Sequence, residues 1–265
     1  MPGSGKGTSL GKIVSRRAPP GGTKAKVPRM IYQTFQSVKV PFRMLAAVHS
    51  WQLMNPEWGY EFFDDTQMAG FVANFDCSAV PFDSRDLARA FGQIRPGAGK
   101  ADLFRYLLVY ERGGVYMDID TVCLAPLSRY VASDDDVVTG IGCYGDFHQW
   151  GLVYSPRHPF LLCAIENAIA NILDRRFVPG FEGSLEGLTG PPCLDKSIKQ
   201  ILGLPLQERF MPGTYRVALN GVAYQIRIMD GDFFGGQVGF KYAGYEDDLA
   251  QLGVRYWQDD ELFNE

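Results

Sequence analysis

Asp118 and Asp120 stand two residues apart at the end of an apolar run, Gly114-Val115-Tyr116-Met117-Asp118-Ile119-Asp120. From Val115 the run reads as a strand, because Gly113 and Gly114 punctuate its start and side chains on a strand alternate faces. Val115, Met117, Ile119 and Thr121 then point one way, and Tyr116, Asp118 and Asp120 the other. Carboxylates so placed lie roughly 6 to 7 Å apart along the strand, and burying both charges is costly unless a cation or hydrogen-bond donors offset them. Hard oxygen ligands suit Mn²⁺ or Mg²⁺, and a site with one or two protein carboxylates completes its shell with water and substrate phosphates. The bland reading of the same residues is a solvated Asp-Ile-Asp turn. A hydrolase that works with two opposed carboxylates is disfavoured, since acids on one strand cannot flank a scissile bond from both sides.

The element before this strand must position whatever faces the two acids. Residues 101–111 contain no Gly or Pro and read as a helix, with Asp102 in the first turn, where the helix dipole favours a negative charge. Asp102 and Arg105 are three apart and share one helix face, so both can reach the same pocket or pair on the surface.

Read together, Lys100-Ala101-Asp102-Leu103-Phe104-Arg105-Tyr106 and Gly113-Gly114-Val115-Tyr116-Met117-Asp118-Ile119-Asp120 resemble the Asp-X-Asp sugar transferases of glycosyltransferase family 32. That group takes in the initiating α-1,6-mannosyltransferases of yeast-type N-glycan outer chains; a more distant resemblance is to the glucosyltransferase domain of the large clostridial toxins. The resemblance implies one α/β domain of the GT-A nucleotide-sugar type, with a mixed central sheet flanked by helices. It implies a retaining transferase that moves a hexose, with mannose from GDP-mannose favoured, onto a glycan or glycolipid acceptor. A UDP-sugar donor, a metal phosphohydrolase and a non-catalytic nucleotide-sugar binder are the alternatives. In these roles Asp120 ligates Mn²⁺ or Mg²⁺, Asp118 binds the donor ribose and helps hold the metal, Asp102 and Arg105 grip the sugar hydroxyls, and Tyr116 lines the same face.

Other stretches carry the resemblance further. Residues 29–35 read as a first strand, with Tyr32 where relatives have His and Phe35 where they have the Trp that stacks on the donor base. Gln149-Trp150, before a strand ending in Pro156-Arg157-His158-Pro159, resembles the mannosyltransferase branch and makes Gln149 and Trp150 sugar contacts; His158 reads as a turn residue. Relatives carry a His and a Ser-Trp pair near the C-terminus. This chain has no histidine after His158, leaving Lys241, Glu246 or Trp257 to take that place.

The remaining elements follow from periodicity and punctuation. Met44, Ala47, Val48, Trp51 and Met54 form one face of a helix over 42–54, ended by Asn55-Pro56. Residues 60–63 read as a strand and 65–91 as helical and connective, with Ser84 as a cap. Residues 93–100, rich in Gly and Pro, read as a mobile loop placed to act as a lid. A strand is expected over 137–141, then a helix with the stripe Leu162, Ile165, Ile169 and Ile172. Thr189-Gly190-Pro191-Pro192 opens another helix, and Asn220-Gly221 joins a hairpin over 215–228.

With 265 residues, 46% of them hydrophobic, the chain can bury one substantial core. Its five cysteines are scattered without a Cys-X-X-Cys pair, as buried thiols of a reducing compartment are, and three histidines make zinc a poor fit. Residues 1–29 hold seven Lys or Arg and no acid, which leaves nineteen bases against thirty acids in the rest. An acidic body argues against nucleic acid as a partner. Residues 1–27 read as a disordered basic tail able to touch an anionic membrane, and 28–265 as the transferase domain. Gly3-Ser4-Gly5-Lys6-Gly7-Thr8 is similar to the end of a phosphate-binding loop but lacks the preceding strand that such a loop requires. No transmembrane run is present, so the expected location is cytoplasmic, or the Golgi lumen if an anchor has been removed.

Overall fold

A strand that is apolar on both faces needs cover from both sides, and the run before Asp118 gets it by lying inside a seven-stranded mixed sheet. The computed structural model describes residues 10–19, 24–142, 145–254 and 261–264. In chain order the elements are β1 (Leu10–Lys12), β2 (Met30–Thr34), β3 (Lys39–Pro41), α1 (Phe42–Met54), β4 (Gly59–Phe63), α2 (Asp65–Ala73), α3 (Ser84–Gln93), α4 (Gly97–Arg112), β5 (Gly114–Met117), β6 (Val122–Cys123), β7 (Val137–Thr139), β8 (Gly151–Tyr154), α5 (Pro159–Asp174), α6 (Leu185–Leu188), α7 (Pro191–Leu202), β9 (Gly213–Leu219), β10 (Val222–Ile228), α8 (Asp232–Gly236), β11 (Val238–Gly239) and α9 (Tyr245–Gln251).

The sheet runs β4-β2-β5-β8-β7-β10-β9. β4, β2 and β5 are mutually parallel, β8 runs antiparallel between β5 and β7, and β10 is parallel to β7. The mixed α/β sheet flanked by helices is therefore the architecture that the resemblance implies. Alternation along β5 divides the core in two. Tyr116 packs with α4, α5 and α7 on one side, while Val115 and Met117 pack with Met44, Val48 and Trp51 of α1 on the other. Asn220 and Gly221 both have positive φ, as the tightest hairpin turn demands, and the β9–β10 hairpin extends the central sheet through β7.

The structure corrects four expectations. Within the leader, Leu10–Lys12 pairs with Lys39–Pro41, Ile13 is buried, and the Arg16 guanidinium donates to the carbonyls of Gln52 and Asn55 at the end of α1 and of Trp58 in the turn before β4. That stretch is ordered because it supplies both an apolar side chain and a cation for orphan helix carbonyls; residues 1–9, with the Gly3-to-Thr8 run, lie outside the described residues. The expected lid is not a loop. Ile94 is fully buried, Gly99 is buried, and α4 begins at Gly97, so apolar burial overrides the glycine count. Asp83, not Ser84, caps α3 by accepting from the Asp86 amide. Finally, β5 stops at Met117, and the acids that follow sit in a turn.

Candidate active site

The parallel strands β2, β4 and β5 end at one edge of the sheet, where ligands of open α/β sheets bind. A cleft of about 670 Å³ opens there, within the range of small-molecule sites. Its walls include Phe35, Asp102, Arg105, Tyr116, Asp118, Asp120, Gln149 and Trp150, so the structure brings these eight sequence-read residues into one place.

A turn, rather than strand alternation, aims the two acids. The Asp118 amide donates to Trp150 O at 2.8 Å, and Thr121 returns both its amide (3.1 Å) and its hydroxyl (2.6 Å) to Asp118 O. Gln33 Nε2 donates to the same carbonyl at 3.0 Å while its Oε1 accepts from the Tyr60 hydroxyl. Gln33 and Thr121 are fully buried, so the backbone under the acids is fixed from below.

Arg105 is the hub of the floor and is 5% exposed. Its Nη2 lies 2.8 Å from Asp118 Oδ1 and 3.4 Å from Asp102 Oδ1, and its guanidinium carbon stands 4.8 Å from the Tyr116 ring centre. Burial works against its charge, but Asp118, Tyr116 and Asp102 more than offset that and hold its pKa above the ordinary value. The Tyr116 hydroxyl donates to Asp118 Oδ1 at 3.0 Å. Burial raises the Asp118 pKa against the pull of Arg105.

Gln149 lies in the cleft wall and is held at both ends of its amide. Its Nε2 donates to Asp102 Oδ1 at 2.8 Å, its Oε1 accepts from Arg105 Nη1 at 2.8 Å, and the side chain is buried. Both ends of the amide clamp the Asp102–Arg105 pair. Thr189 completes the clamp by donating its hydroxyl to Asp102 Oδ2 at 2.8 Å. Sequence reading placed Thr189 only as the opening of a helix; nothing local signals a bond across 87 residues.

Asp120 lacks such support. Its Oδ1 is buried and without a hydrogen-bond partner, while its backbone carbonyl accepts from the Tyr242 amide. Burial first, then the neighbouring Asp118, push its pKa up to about 7, with Lys241 pulling the other way. A buried carboxylate oxygen left open beside a second acid is the donor set that a hard divalent cation fits. Among the described residues no three His, Cys, Asp or Glu gather as a complete metal cage. Of the C-terminal candidates, Lys241 lines the cleft and Glu246 on α9 is not among its walls, while Trp257 lies outside the described residues. Asp65, Tyr245 and Leu249 also line it and were not read from the sequence. Phe35 forms part of the wall at the end of β2; Trp150 packs between His148 and Phe240, with ring centres 4.7 and 5.0 Å away. His158 caps α5, its Nδ1 accepting from the Phe160 amide at 3.2 Å, and it is fully buried.

An α/β sheet with paired acids and an arginine at its carboxyl edge has the layout of a nucleotide-sugar site. Residues 41–138 match the family described as a glycosyltransferase sugar-binding region containing a DXD motif, which bears out the resemblance carried by residues 100–120. The initiation-specific alpha-1,6-mannosyltransferase of Candida albicans is 29% identical over 185 residues, covering 62% of this chain and 47% of that protein. Inositol phosphoceramide mannosyltransferase 1 of Schizosaccharomyces pombe is 26% identical over 162 residues, covering 60% and 48%. The chain thus spans about half the length of these curated relatives. Among solved structures, the PaToxG glycosyltransferase is similar with a TM-score of 0.48 and 14% identity, covering 66% of this chain and 69% of that one.

Proposed function

We propose that this chain transfers a hexose, mannose from GDP-mannose being the first donor to test, from a nucleotide diphosphate sugar to a glycan or glycolipid acceptor with retention at the anomeric carbon. The observation that carries the reading is the convergence of Asp102, Arg105, Asp118 and Asp120 on one cleft, with an unpartnered Asp120 oxygen inside it. The mannosyltransferase relatives support the choice of mannose.

Each Asp102 oxygen accepts one protein hydrogen bond and has capacity for another, so the carboxylate receives donor-sugar hydroxyls while staying fixed. Arg105, held by Gln149 and Asp118, supplies positive charge under the sugar and the departing diphosphate. Phe35 offers an apolar wall to the base, and Asp118 accepts from the ribose. A divalent cation, Mn²⁺ or Mg²⁺, would be held by Asp120 and Asp118 and would neutralise the leaving diphosphate. The bond from the anomeric carbon to the diphosphate oxygen breaks, a bond to the acceptor oxygen forms, and the acceptor proton passes to the departing diphosphate.

The test is release of nucleotide and transfer of labelled sugar from GDP-mannose, UDP-glucose, UDP-galactose and UDP-N-acetylglucosamine, with and without Mn²⁺. One donor is expected to turn over, and Asp118→Asn or Asp120→Asn to lower turnover at least about a hundredfold. Wild-type rates in both variants, or binding of every donor without turnover, would remove the transferase reading.

A further inference from the structure

We propose that β1, β3 and the outer face of α1 form a docking surface for an anionic phospholipid membrane. On α1 the buried stripe of Met44, Ala47, Val48 and Trp51 is backed by an outer stripe of Phe42, Leu45, His49 and Leu53, at i, i+3, i+7 and i+11. Phe42 is 58% and Leu53 78% exposed. The two lie about 16 Å apart along the helix, a spread that suits a flat surface better than a pocket. β1 lies over this face. Gly11 is packed against the Leu45 side chain and the Phe42 ring, and Gln52 Nε2 donates to Val14 O at 2.8 Å, which sets exposed Leu10 and Val14 beside the helix stripe.

Charge supplies the second observation. The antiparallel register of β1 and β3 puts Lys12 directly opposite Lys39, both exposed, and among the described residues neither forms an ion pair. Like charges in directly opposed positions destabilise a ribbon, so the pairing makes sense against an external anion. The sequence around β1 adds no opposing charge: residues 1–29 hold seven Lys or Arg and no acid, and Lys12 is the one that the β1–β3 register presents here. Apolar side chains among unpaired lysines match a bilayer surface that carries negative headgroups over an apolar interior. A second copy fits poorly, because a two-fold contact through this face would bring the lysine pairs of both copies together.

The surface borders the cleft. Gln36, in the cleft wall, lies three residues before Lys39, and Arg43 of α1 pairs at 2.9 Å with Asp248 of α9, whose Tyr245 and Leu249 line the cleft. A lipid-borne acceptor would then meet the active site at the membrane; that consequence rests on the transferase reading, whereas the docking does not.

Co-sedimentation of the full chain with phosphatidylcholine vesicles, alone and with a third phosphatidylserine, tests the docking without any nucleotide sugar, so a failed turnover assay leaves the result standing. Binding is expected to the anionic vesicles alone. Lys12→Ser with Lys39→Ser should weaken it roughly 25-fold, at about fivefold per lysine. Phe42→Ser with Leu53→Ser should weaken it about tenfold or more while the melting temperature falls by only a few degrees, since both residues are more than half exposed. Equal binding to neutral and anionic vesicles, no binding to either, undiminished binding of either double variant, or self-association through these residues by gel filtration would each overturn the proposal.

Discussion

Replacing Gln149 with leucine separates two accounts of the cleft, because a clamp and a sugar contact fail in different ways. The substitution keeps the volume and removes the amide that donates to Asp102 at 2.8 Å and accepts from Arg105 at 2.8 Å. Hydrogen bonds to charged groups contribute roughly 1.5 to 3 kcal/mol each. Arg105 keeps its bond to Gln149 O, and Asp102 keeps Thr189, so part of the loss is compensated. A net loss of about 2 to 4 kcal/mol is expected, which for a chain of this size lowers Tm by about 5 to 12 °C. With Arg105 released from one of its anchors, kcat for donor turnover should fall roughly 10- to 100-fold while donor KM changes less. Differential scanning fluorimetry and steady-state kinetics read both effects. A variant with unchanged Tm whose only defect is a raised donor KM would refute the clamp and restore Gln149 as a direct sugar contact.

Other expectations follow from single contacts. Asp120→Asn should leave Tm within about 2 °C, since its buried oxygen has no partner to lose, and should abolish the added thermal stabilisation that Mn²⁺ brings to nucleotide binding; retained Mn²⁺ dependence would exclude Asp120 as a ligand. Tyr116→Phe deletes one bond to Asp118, and a loss of about 1 to 3 kcal/mol in unfolding free energy, read from urea denaturation, is expected. Burial depresses the His158 pKa to about 3, below the ordinary 6.5 of an unfolded chain. The unfolded state therefore binds the extra proton first as pH falls through that window, so stability contributed by neutral His158 is full above 6.5 and declines toward 3. Between about pH 7 and about pH 4.5 the loss should be about 2 to 3 kcal/mol, and His158→Asn, which keeps a capping acceptor, should flatten that slope.

Much of the fold was legible because local signals agreed with the tertiary outcome. The apolar stripe of α1 faces the core at Met44, Ala47, Val48 and Trp51, while its last expected member, Met54, is exposed at the helix end; Asn220-Gly221 turns the hairpin, and the Asp-X-Asp stretch lies at the sheet edge. Failures came where a residue's partner is remote. Glycine and proline over 93–100 suggest a loop, yet Ile94 and Gly99 are drawn into the core by side chains that no local window contains. The basic leader suggests disorder, yet Arg16 finds two carbonyls at the end of α1 and a third, that of Trp58, in the turn before β4.

By itself the sequence determined which residue types the cleft would have to work with, since residue type and short spacing are covalent facts: two acids two apart, an acid and an arginine three apart, and the glycine pair between helix and strand. Only the tertiary structure decided how those groups are held. Gln149 and Thr189 reach Asp102 across 47 and 87 residues, and Gln33 props Asp118 from a neighbouring strand. Hydrogen bonds of a few ångströms between remote segments exist only once strands and helices have packed. The same packing leaves one buried oxygen of Asp120 without a hydrogen-bond partner at the cleft, a feature invisible in the order of amino acids.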